Sequence, residues 1–111
     1  MQNFRDLKAW EKAHKLVLAI YAATSSCPKE ERFGLMAQMR RAAVSVPANI
    51  AEGCVRSSDP DFARFLNTAI GSASEIEYFL LLARDLEFIP ELRCEQLTVQ
   101  VQEVKRMLAA L

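Results

Sequence analysis

Residues 38–53 read QMRRAAVSVPANIAEG, and this stretch carries two patterns on one helix. Leu35, Met39, Ala42, Val46 and Ile50 recur at steps of three and four and mark an apolar face. Gln38, Arg41, Ser45, Asn49 and Glu52 recur at the same spacing on another face, so the polar residues look specified rather than merely soluble. Pro47 falls among them. Its ring removes a backbone donor and crowds the carbonyl of Ala43, which predicts a kink, with a break into two helices as the competing account. Ile50 continues the apolar face past the proline, which favours one kinked helix.

On either side of this stretch, prolines and polar clusters divide the chain into four segments of helical length. The first runs from an N-cap at Asn3 to about Thr24, with Phe4, Leu7, Trp10, Val17, Leu18 and Tyr21 as its apolar stripe. His14 falls inside that stripe and is expected to be a packed, hydrogen-bonded residue at the core edge. The second segment starts in the first turn at Pro28 and continues to Glu52, with Gly53 in a C′ position. Asp59, Pro60 and Asp61 then give a helix start, with Asp59 as the N-cap and Pro60 at the first helical position. This third segment reaches about Glu87 through Phe62, Phe65, Leu66, Ala69, Ile70, Ala73, Ile76 and Leu80.

Pro90 opens the fourth segment, whose Leu97, Val101, Val104, Leu108 and Leu111 alternate steps of four and three. Residues 97–102 also alternate apolar and polar, a strand pattern, but the four-three spacing persists to Leu111 and a lone strand has no partner. Short joints between four similar helices predict an all-α, up-down-up-down four-helix bundle.

At 111 residues the chain is expected to form one domain. Fourteen basic and fourteen acidic side chains cancel, so any polyanion site must be a local patch. Hydrophobic residues make up 51% of the chain, more than a small bundle can bury, which points to a subunit interface. Tyr78, Phe79, Leu80, Leu81, Leu82 and Ala83 are apolar around the whole helix circumference, so one side meets the bundle and another must meet a partner. No run is long enough to cross a bilayer, and the charged N-terminal residues lack a signal core. Cys27, Cys54 and Cys94 are far apart and without a C-x-x-C pair, so they read as reduced thiols, and a cytoplasmic protein is expected with no metal and no cofactor.

Two groups of residues are candidates for function. The first joins Gln38, Arg41, Ser45, Asn49 and Glu52 to Ser72 and Glu75 of the GSASE segment, where the small pair Gly71 and Ser72 would let helices approach and Glu75 could meet Arg41 or Asn49. It reads either as a structural polar layer, with Arg41 paired to a glutamate and Ser45 and Asn49 holding backbone carbonyls, or as a binding pocket; the layer is preferred. Glu52 and Glu75 could form an acid and base pair, but no nucleophile with a nearby histidine, phosphate-cradling loop or metal signature accompanies them, so no enzyme is expected. The second group is Arg5, Lys8, Lys12 and Lys15, a basic stripe on the first helix that could track a phosphate backbone.

Three motifs taken together, FRDL-x-AW near the start, P-x-EE-x-x-GL-x-x-QMRRAAVSVPANIAEG, and F-x-x-FL-x-x-A-x-GS-x-x-E, resemble the four-helix-bundle family encoded in bacterial 23S ribosomal RNA intervening sequences. The resemblance spans nearly the whole chain, although the last helix matches only in apolar pattern. It implies a left-handed bundle assembled as a homopentamer, with no established enzymatic activity. The accessory protein of diversity-generating retroelements is a more distant likeness, a strongly basic pentamer that binds nucleic acid; the zero net charge of this chain departs from it. The reading is therefore a non-enzymatic oligomer whose function is interaction, with itself and with RNA or nucleoprotein as the partner classes and no membrane. The alternative is a small-molecule-binding bundle or weak enzyme built on the polar cluster.

Overall fold

The structure is a computed structural model that describes residues 2–31 and 33–111. Four helices carry it: α1 (Lys8–Thr24), α2 (Leu35–Cys54), α3 (Asp59–Asp85) and α4 (Glu91–Ala109), with short 3-10 turns at Phe4–Asp6 and Lys29–Glu31. Each helix packs on two others. α1 lies against α2 and α4, and α3 against α2 and α4, with α2 and α3 forming the most extensive pairing. Lys12 of α1 bonds Glu103 of α4, the Gln2 N–H donates to the Cys54 carbonyl at the far end of α2, and the Cys27 thiol reaches the Phe88 carbonyl. These contacts make neighbours antiparallel and bring the α1–α2 and α3–α4 joints to the same end of an up-down-up-down four-helix bundle.

Its core alternates large and small residues. Leu16, Ile20, Met39, Ile50, Ile76, Leu80, Leu97 and Leu108 are fully buried, interleaved with buried Ala13, Ala43, Ala69 and Ala73 that let the helix backbones approach. Each fully buried aliphatic side chain contributes roughly 1.5–3 kcal/mol. α2 runs unbroken through Pro47, which is itself buried, so the two-helix account of this stretch is excluded. The 97–102 alternation is helical, inside α4.

The helix ends differ from the sequence expectation at several points. α1 does not begin at Asn3: Asn3 caps a separate 3-10 turn by accepting the Arg5 N–H at 3.0 Å, and Leu7 then turns extended before α1 starts. This turn carries Phe4 back onto Trp10, with ring centroids 4.9 Å apart. α2 begins at Leu35 rather than Pro28, because Gly34 takes a non-helical backbone and Glu31 reaches forward to accept the Leu35 N–H. α3 is capped by Ser58 rather than Asp59, leaving Asp59 and Asp61 to favour the positive end of the helix. Leu111 lies past the end of α4 and is exposed.

Both glycine expectations change. Gly53 is inside α2, and its lack of a side chain permits close approach: a Cβ there would meet the Phe62 ring and the Phe65 Cβ at 3.1 Å. Gly71 faces open space, so Ser72, not Gly71, is the small residue between helices. His14, Leu18 and Tyr21 fall in the stripe by spacing but are exposed; His14 stacks on Trp10 at 5.2 Å.

α3 ends without a glycine. Glu87 takes a left-handed backbone with φ 61°, while the Phe88 N–H donates to the Ala83 carbonyl and the Glu87 N–H to Arg84, the paired bonds of a Schellman motif. A residue with a Cβ is strained in that region by about 1–2 kcal/mol, partly offset by the greater unfolded-state freedom of glycine. Glu87→Gly is therefore expected to raise the unfolding free energy by about 0.5–1 kcal/mol in urea titrations.

Candidate functional site

The polar stripe of α2 splits in two. Ser45 and Asn49 lie on the flank of α2 that faces α3, half-buried, and Ser72 of α3 is buried against them. The Ser45 and Ser72 hydroxyls share a hydrogen bond of 2.8 Å, and Asn49 Nδ2 donates to the Ser45 carbonyl at 2.8 Å and to its Oγ at 2.9 Å. The two hydroxyls, the Asn49 Nδ2 and the Ser45 carbonyl are thus engaged within the pair of helices, on either side of Pro47.

Gln38, Arg41, Glu52 and Glu75 are exposed and do not join this network. Glu52 pairs with Arg56 just past the end of α2, while Arg56 also lies over the Phe65 ring. The expected ion pair between Arg41 and a glutamate is not present among the described residues, and Glu75 bonds neither Arg41 nor Asn49. The reason is rotational: residues at 41, 52 and 75 sit on the outer arcs of α2 and α3, beyond the line where the two helices touch.

A second junction was not visible in the spacing. Thr24, fully buried at the last position of α1, donates its hydroxyl to the Ile20 carbonyl at 2.7 Å and accepts the Arg40 Nε–H at 2.7 Å. Arg40 also donates to the Tyr21 carbonyl and lies 4.5 Å over the Tyr21 ring. A cation thereby closes the negative end of α1. In the sequence, the pair Arg40–Arg41 gives no sign that one arginine turns inward while the other turns out.

The basic stripe is largely compensated. Lys12 bonds Glu103 and Lys15 bonds Glu11, both at 3.2 Å, and the Arg5 guanidinium lies over Phe4. Lys8 has no carboxylate partner among the described residues. Burial pushes the thiols of Cys27, Cys54 and Cys94 above the ordinary cysteine range, which keeps them protonated and poor nucleophiles. No cluster of three or more His, Cys, Asp or Glu able to hold a metal occurs among the described residues. No helix among them is long and apolar enough to cross a membrane.

Two surfaces are apolar instead. On the α3/α4 side, Tyr78, Leu81, Thr98 and Val99 line an open groove of about 620 Å³ whose floor reaches Leu80 and Cys94 and whose rim holds Glu77, Arg84 and Glu95. On the α1/α2 side, α1 exposes Leu18 and Tyr21 and α2 exposes Val44, with Ala48, Ala51 and, just past the helix end, Val55 following at helical spacing.

The model of the 23S rRNA-intervening sequence proteins matches residues 5–110. The chain belongs to that family. This intervening-sequence protein is also similar to a solved structure, that of a protein of unknown function from the S23 ribosomal protein family from Bacteroides thetaiotaomicron, at 26% identity and a TM-score of 0.85, covering 92% of this chain and 95% of the other. No match was found among curated proteins.

If the Ser45–Asn49–Ser72 group is a lock between helices, Asn49→Ala is expected to lower the unfolding free energy by about 1–2 kcal/mol. Arg41→Gln and Glu75→Gln should each stay within about 0.5 kcal/mol of the parent protein. Chemical denaturation of the three variants separates these outcomes, and a large loss from the outer pair would reverse the assignment.

Proposed function

We propose that this intervening-sequence protein is a non-enzymatic bundle that works as a homo-oligomer, five copies being the number that the family resemblance implies, with its role carried by interaction surfaces. The observation that supports this is the exposure of large apolar side chains on structured helices: Tyr21 and Val44 at 42% and 43%, Leu18 and Tyr78 at 58%, and Val99 at 61%. Solvated single residues need no explanation, but a groove that gathers Tyr78, Leu81 and Val99, with further large apolar side chains exposed on α1 and α2, is expected to be covered in solution. The inner polar group is consumed by helix–helix bonding, and the outer carboxylates lie apart from one another on open arcs, which speaks against the pocket alternative. Three cysteines with no disulfide between them accord with a cytoplasmic setting.

RNA or nucleoprotein contact draws on Arg5 and Lys8, the two stripe cations that no carboxylate neutralises among the described residues. Assembly would repeat them once per subunit and make a weak patch multivalent.

Sedimentation equilibrium at micromolar concentration is expected to give an integral multiple, fivefold, of the 12.5 kDa chain mass; a monomer would remove the proposal. With the same oligomer, retardation of structured RNA at low salt should be lost in Arg5→Glu with Lys8→Glu and largely kept in Lys12→Glu with Lys15→Glu. Absence of any retardation by the parent protein would leave self-association as the whole of the reading.

A further inference from the structure

Two of the three cysteines meet at one end of the bundle. Cys27 lies in the joint between α1 and α2, and Cys94 in the first turn of α4. The Cys27 thiol donates to the Phe88 carbonyl and the Cys94 thiol to the Ile89 carbonyl, each at 3.7 Å. Their acceptors are consecutive residues of the α3–α4 joint, so two distant parts of the chain hold their sulfurs against the same short piece of backbone. Cys54 is placed differently. It ends α2, roughly 28 Å along that helix from the end where these joints lie. We propose that Cys27 and Cys94 are a dithiol pair that a hydroperoxide converts into a disulfide within the chain, tying the α1–α2 joint to the start of α4 until a thiol reductant reopens it.

The two thiols differ in access. Cys27 is half-buried, whereas Cys94 is buried at 3% exposure, so an oxidant meets Cys27 first and Cys94 acts from inside the protein. They also differ in how firmly the backbone holds them. The Cys94 N–H donates to the Pro90 carbonyl within α4, while Cys27 stands outside every helix and is followed by Pro28, which has no N–H to give. Sulfurs must approach to about 2.05 Å to bond, and the joint can move toward α4 without unwinding an α-helix.

The surrounding charges fit this division. Burial pushes both thiols up, but Arg40 near Cys27 and Arg84 near Cys94 pull the other way, against Glu31 and Glu91 respectively. A negative charge on Cys27 is felt at Cys94, which also shows the two side chains to be neighbours.

The chemistry balances with hydrogen peroxide as the oxidant. Cys27 gives its proton to solvent, and its thiolate attacks one peroxide oxygen; the O–O bond breaks, water leaves, and Cys27 becomes a sulfenic acid. The Cys94 sulfur then attacks the Cys27 sulfur, the S–S bond forms, and the sulfenic oxygen departs with the Cys94 proton as a second water. Two thiols supply the two electrons that the peroxide takes up. Because burial disfavours the thiolate, the first step is slow at neutral pH, and the pair responds to sustained oxidant rather than to traces of it. In a reducing compartment such bonds are transient and sense oxidants.

Peptide mass mapping without reduction tests the pairing, on the full chain treated with hydrogen peroxide under native conditions and then alkylated. A peptide pair joined through Cys27 and Cys94 of one chain is expected, two hydrogens lighter than the reduced pair and restored by dithiothreitol. The bridge closes a long loop that contains α2 and α3, so the oxidised protein should also unfold at higher urea concentration than the reduced one. Cys27→Ser should abolish the bridge and Cys54→Ala should leave it intact. If circular dichroism shows Cys54→Ala unfolded, Cys54→Ser takes its place. A bridge that includes Cys54, cross-links found only between chains, Cys27 oxidised to sulfinic acid beside a free Cys94 thiol, or an unchanged urea midpoint would each overturn the proposal.

Discussion

The close contact between α2 and α3 is the constraint on which the rest of the structure depends. Two things make it possible: Gly53, which leaves room for Phe62 and Phe65 where a Cβ would stand 3.1 Å away, and the hydroxyl pair of Ser45 and Ser72 at 2.8 Å. Hydroxyls at a helix contact need partners, and here they partner each other and the Asn49 Nδ2, which takes both hydroxyls and that amide nitrogen out of play for a ligand. Such a bond is worth only about 1 kcal/mol net, yet leaving one member alone costs more, which fixes the rotation and height of α2 against α3. That rotation in turn directs Gln38, Arg41, Glu52 and Glu75 outward.

The four helices were legible because each carries its apolar residues at three- and four-residue steps, and the Asp59-Pro60-Asp61 start and the helical nature of residues 97–102 follow from local rules. The end of α3, expected at about Glu87 and found at Asp85, was legible from the apolar spacing although Glu87 occupies a left-handed position where glycine would normally announce the stop. The starts of α1 and α2 were missed. Leu7 is extended for tertiary reasons, to carry Phe4 onto Trp10, and Glu31 caps a helix from beyond the intervening Gly34. Both contacts span only four to six residues, but each forms at a helix entry where apolar spacing gives no signal.

Within the candidate site, spacing gathered Ser45, Asn49 and Ser72, which hydrogen bonds join, together with four neighbours that point elsewhere. Periodicity tells that two residues share a face, not how wide the contact on that face is. The misplacement of Leu18 and Tyr21 has a different physical content. They belong to the apolar stripe of α1 by spacing and are nevertheless exposed in the bundle, as Tyr78 and Leu81 are on α3. A stripe wider than the chain's own core is what a helix needs when it packs on its own bundle and on a neighbour as well.

On this account the specified polar residues hold the bundle together, and the surfaces available for function are the two apolar faces and the small basic remainder. The chain has two tyrosines, and they fall one on each face: Tyr21 between α1 and α2, and Tyr78 between α3 and α4. Hydroxyl-radical footprinting of these two side chains across a dilution series that spans dissociation is therefore the most direct measurement. Both should be protected at high concentration and become reactive together as the protein is diluted. Protection of one tyrosine alone, or reactivity of both that does not change with concentration, would contradict the account.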